Sequence, residues 1–103
     1  MPQTVKRGVP LKQQIDEALK PGRESWQNVV AITVARGSSM STMEPAEGLA
    51  LLQGMDKGQI DQNMTGIWIS TRSANVKITA ADGGPLAKTT EWHLTSDYVP
   101  QGD

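Results

Sequence analysis

Gly66-Ile67-Trp68-Ile69-Ser70-Thr71 and, five residues on, Val76-Lys77-Ile78-Thr79-Ala80 are the two runs that decide the fold. Each alternates with a period of two, the signature of a strand with one buried face. Ile67 and Ile69 fall on one side of the first run, and Val76, Ile78 and Ala80 on one side of the second. Joined through Arg72, Ser73, Ala74 and Asn75, the runs form an antiparallel hairpin. A loop of those four residues sets Thr71 opposite Val76 and Ile69 opposite Ile78, with every aliphatic residue on the same face. Trp68 breaks this pattern, because it shares the polar face with Ser70, Lys77 and Thr79. A large indole there needs a partner: another layer of the same domain, a second subunit or a ligand.

Working outward, a last strand is expected from about Lys88 to Thr95, with Trp92 and Leu94 on one side and Glu91 and His93 on the other. To bring Trp92 beside the aliphatic residues of the hairpin, its connection must have an odd number of residues or a bulge. Upstream, Val29-Val30-Ala31-Ile32-Thr33-Val34 is almost continuously apolar and β-branched, which predicts a strand at Asn28 to Ala35, covered on both faces and central in its sheet. One helix is expected from Pro10, with Leu11, Ile15, Ala18 and Leu19 as its stripe and Lys20-Pro21-Gly22 as its stop. A second is expected from Glu44 to Met55, with Ala46, Leu49, Ala50, Leu52 and Met55 making a broad apolar face.

Arg36 to Met43 reads as a flexible segment and Asp56 to Thr65 as loop. The order α, β, α, β, β, β predicts a single α+β domain over residues 1–103, with two helices packed on one face of a mainly antiparallel sheet. Residues 1–8 are expected to be a flexible arm and residues 97–103 a flexible tail.

A chain of 103 residues buries about 60 to 70 per cent of its unfolded surface, enough for one independent core. With three Trp, one Tyr and no Phe, that core is filled mostly by Ile, Leu, Val, Ala and Met. The absence of cysteine removes disulfides, thiolate nucleophiles and sulfur-based zinc sites. No apolar run approaches the roughly 18 residues of a membrane-spanning helix, and Met1 to Pro10 lacks the apolar core of a signal peptide. A soluble, cytoplasmic protein with no membrane association is therefore expected.

The formal net charge of −1 creates no global field for nucleic acid. Up to Arg23, five basic residues (Lys6, Arg7, Lys12, Lys20, Arg23) face only Asp16 and Glu17, so this end is mildly basic.

His93, the only histidine, has Glu91 as its neighbour on the same strand face, a pairing that can orient a general base. Neither a nucleophile nor an oxyanion donor is located by the sequence. Gly37-Ser38-Ser39 stands where a loop can hold phosphate, but it lacks phosphate-loop and dinucleotide spacing, and Glu44 and Glu47 occupy the start of the helix that follows. Asp56 to Asp61 lacks the ligand rhythm of a calcium loop. No cofactor and no metal are expected.

The binding candidates are Trp68, Lys77 and Thr79 on the sheet, with Met40 and Met43 as an adaptable apolar surface. They point to a small protein-binding or interaction module. Its partner is another protein or a second copy, in a homodimer across the face that carries Trp68. A single-stranded nucleic-acid binder using Trp68, Lys77 and the basic arm is the alternative. A small enzyme using His93 and Glu91 is the third reading.

Overall fold

A computed structural model of the chain describes residues 3–98. In chain order its elements are β1 (Gln3–Thr4), α1 (Leu11–Leu19), β2 (Ala31–Arg36), β3 (Ser39–Met43), α2 (Pro45–Asp56), β4 (Gly66–Ser70), β5 (Ala74–Ala80) and β6 (Trp92–Tyr98). The six strands form one sheet in the order β1-β6-β5-β4-β2-β3, and every neighbouring pair is antiparallel. The expected α+β architecture, two helices on a mainly antiparallel sheet, is the one observed, with two further strands at the edges.

One face of the sheet carries the core. Ile32 and Val34 of β2, Ile67 and Ile69 of β4, Val76 and Ile78 of β5, and Trp92 and Leu94 of β6 are buried. They lie against Leu11, Ile15 and Leu19 of α1 and Leu52 and Met55 of α2. Each such aliphatic side chain contributes about 1.5 to 3 kcal/mol by leaving water, which is why strand alternation fixes the register so firmly. The polar end of Trp92 is satisfied, its indole N–H donating to the Leu86 carbonyl at 2.9 Å. Asp56, at the end of α2, accepts the backbone N–H of Leu11 at 3.1 Å and so caps the first turn of α1.

Several expectations are corrected. The β4–β5 register pairs Ile69 with Val76 and Ile67 with Ile78, two residues tighter than a loop of Arg72 to Asn75 would give. The hydroxyl of Thr71 causes this by accepting the backbone N–H groups of Ser73 and Ala74, while Thr71 N–H donates to the Ala74 carbonyl. A shift of two leaves every side chain on its expected face. The β5–β6 connection, Ala81 to Glu91, has eleven residues, an odd length, and Trp92 pairs with Ala80 on the core face.

Arg36 to Met43 is not a flexible segment. A two-residue turn, Gly37-Ser38, folds β3 back onto β2, with Gly37 at φ 64°, the positive value that hairpin turns of this length require. β2 is therefore second from the edge, and only one of its faces is covered: Ile32 and Val34 are buried, while Thr33 on the other side is partly exposed and Val30, just before the strand, is 57% exposed. α2 turns Gly48, Leu52 and Met55 inward and leaves Ala46 and Ala50 exposed, because the missing side chain of Gly48 lets the helix approach Ile32 closely.

Within the expected arm, Gln3 and Thr4 pair with Leu94 and His93, and Val5 is buried. Of the expected tail, Asp97 and Tyr98 belong to β6; residues 1–2 and 99–103 lie outside the described residues.

Candidate functional site

Because both helices pack on the Ile67 side, no described helix or loop lies over the opposite face of the sheet. The registers arrange that face in rows across the strands. One row runs Met40, Ala35, Gly66, Thr79, His93, Thr4; the next runs Thr42, Thr33, Trp68, Lys77, Thr95; a third runs Ala31, Ser70, Asn75, Asp97. With strands spaced about 4.8 Å apart, the face is a shallow platform. Trp68 stands at its middle, on the strand flanked by β2 and β5.

The indole lies along β4 over Gly66. A Cβ at Gly66 would come within 3.0 Å of Trp68 Cζ3 and 3.4 Å of the Thr79 methyl, so glycine provides the floor on which the ring rests. Lys77, directly opposite Trp68, places its Nζ 5.1 Å from the ring centroid, within range of a cation–π attraction worth about 0.5 to 1 kcal/mol at an exposed site. On the other side the hydroxyls of Thr33 and Thr42 are 3.1 Å apart. Trp68, Lys77 and Thr79 thus form one contiguous group, each partly exposed.

Met40 and Met43 do not act together. They stand three positions apart in β3, an odd spacing that puts them on opposite faces: Met40 joins the open face beside Ala35 and is 61% exposed, whereas Met43 lies opposite Ile32 and packs against the core. His93 and Glu91 lie at a corner of the platform, with His93 Nε2 3.6 Å from Glu91 Oε1, beyond hydrogen-bonding distance. Thr79 stands opposite His93 in register, and neither His93 nor Glu91 lines the groove described below. Among the described residues, no three His, Cys, Asp or Glu side chains gather in a metal-binding cluster. No helix of the described residues is long and apolar enough to cross a membrane.

A groove of about 690 Å³ runs between α1 and the β1–β6 edge, lined among others by Gln14, Glu17, Leu94, Ser96 and Tyr98. Of the residues expected from the sequence to form a site, only Lys6 of the basic arm lines it. The sequence reading also missed Thr33, Thr42 and Gly66 as members of the open face. Thr33 and Gly66 could have been found from strand parity alone, whereas Thr42 required the β2–β3 hairpin. Comparison with known protein families, curated proteins and solved structures finds no match for this chain.

Proposed function

We propose that the chain is a small protein-binding module whose contact surface is the open sheet face centred on Trp68. The observation that carries this reading is the position of the indole: partly exposed, it lies at the centre of a sheet face opposite the one on which both helices pack. Trp is enriched among the central anchors of protein interfaces, and truncating such an anchor costs about 2 kcal/mol or more. Threonines around it supply hydroxyls at low entropic cost, and Met40 adds an adaptable apolar rim. Stoichiometric occlusion or bridging of a partner is the mode of action.

Lys77 bears on the choice of partner. It is the only lysine or arginine in the three rows, so there is no track of cations for a phosphate backbone. Its ammonium already occupies the neighbourhood of the indole, and a stacked base would have to displace it. A protein segment can instead accept the pair as it stands, with a carboxylate to Lys77 and an apolar side chain on Trp68.

Peptides selected from a random library against the chain test this reading. Trp68→Ala should keep the far-ultraviolet circular dichroism and weaken the selected peptides by about 2 kcal/mol, roughly thirtyfold. Selected peptides that bind the variant equally well would remove the open face as the contact surface. Salt-dependent quenching of Trp emission by oligonucleotides would favour the nucleic-acid alternative instead.

A further inference from the structure

Strand β3 is an edge of the sheet and pairs with β2 on one side only. Edge strands are usually protected against strand addition by a lysine, a proline, a bulge or a covering segment. Ser39-Met40-Ser41-Thr42-Met43 contains no charge and no proline, and its register with β2 runs unbroken from Ser39 to Met43. All but Met43 are exposed. A second observation concerns α2, the helix that follows the strand. Away from its Gly48–Leu52–Met55 line, α2 presents Ala46, Leu49 and Ala50, with Ala46 and Ala50 exposed and Leu49 half-buried. A helix this apolar around its circumference is usually covered.

We propose that β3 is the seam of a homodimer, in which β3 of a second copy adds antiparallel about a two-fold axis through Ser41. The two six-stranded sheets become one, and the α2 helices flank the seam on the core side. A second copy is the occupant because the strand is complementary to itself. A register centred on Ser41 keeps each face continuous and sets Met40 opposite Thr42, Ser39 opposite Met43 and Ser41 opposite itself. Each methionine thus meets a small side chain. This goes beyond the peptide-binding reading and does not depend on it, since Trp68 lies on β4, two strands in from the seam.

The test uses the residue on the axis. Wild-type chain should sediment as a dimer, whereas Ser41→Lys and Ser41→Asp should each sediment as monomers, self-affinity falling by about tenfold or more through like charge on the axis. Their equimolar mixture should sediment as a dimer again. A monomeric wild type overturns the proposal, as does a dimer that survives both substitutions. Should the charged variants fail to fold, Ser41→Cys decides: in a chain without cysteine, mild oxidation should cross-link it to itself, and Asp82→Cys in a remote turn should not. Absence of the Ser41→Cys cross-link overturns the seam. Trp68→Ala should leave the sedimentation unchanged, which separates this result from the fate of the peptide-binding reading.

Discussion

Gly48 sits where α2 crosses β2, and a Cβ built there would lie 2.9 Å from both Cβ and Cγ1 of Ile32. Those atoms are near the backbone and cannot swing aside as a side-chain tip can. Gly48→Ala gains about 1 kcal/mol of helix propensity but incurs overpacking of about 1 to 3 kcal/mol. The net result should be a stability lower by about 1 kcal/mol, read as a lower urea midpoint with an unchanged slope; a raised midpoint would show that the helix has room to rise.

Asp61 offers a second residue-scale test. The Arg36 guanidinium donates to its Oδ2 at 2.8 Å, and the Asn63 backbone N–H donates to its Oδ1 at 2.8 Å, which together hold its carboxyl below the ordinary range. A carboxyl whose value is lower in the folded than in the unfolded chain contributes stability above the unfolded value. That contribution is lost as pH falls through the folded one. Arg36→Gln should therefore flatten the acid limb of a plot of stability against pH and leave its neutral-to-alkaline limb parallel to wild type. An acid limb of unchanged steepness would show that the pair does not contribute.

At the scale of elements, β4, β5, α1 and α2 were legible because burial imposes a period on the sequence, and the period survives errors of detail. The β4–β5 register illustrates this: the loop was read two residues too long, yet every face was assigned correctly, since an even slip preserves parity. β3 was illegible for the opposite reason. Ser39 to Thr42 are exposed on both faces at the sheet edge and only Met43 packs against the core, so burial imposed no period on the run. The one signal was Gly37-Ser38, a two-residue turn of the kind that hairpins use. Misreading that turn also misplaced Met40 and Met43 in one loop. Trp68 was legible as an anomaly, but its environment was not, because Lys77 and Gly66 meet it only through cross-strand register and the fall of the ring.

For the whole molecule, the sheet closes by pairing the two ends of the described chain, Gln3 with Leu94 and Thr4 with His93. Both helices share one core with all the central strands. Nothing in that arrangement divides into parts that could persist alone. Urea unfolding should accordingly be two-state, with circular dichroism and Trp emission giving superimposable transitions. An early fluorescence change ahead of the loss of secondary structure would indicate that packing around the tryptophans loosens before the sheet and helices do.

The pairing of β1 with β6 also decides how the molecule bears mechanical load. The strands are antiparallel, and Gln3 and Tyr98 leave the sheet at the same end. Tension between these points pulls the strands apart crosswise, so their hydrogen bonds break in turn rather than sharing the force. Peeling first opens the Gln3–Leu94 and Thr4–His93 pairs, and then reaches Val5, whose N–H donates to the Trp92 carbonyl at 2.9 Å. It next meets Arg7, whose guanidinium stacks 4.3 Å from the Trp92 ring and donates to the Thr90 carbonyl. The molecule is thus a soft zipper with one clasp, and the clasp holds the largest side chain of the core.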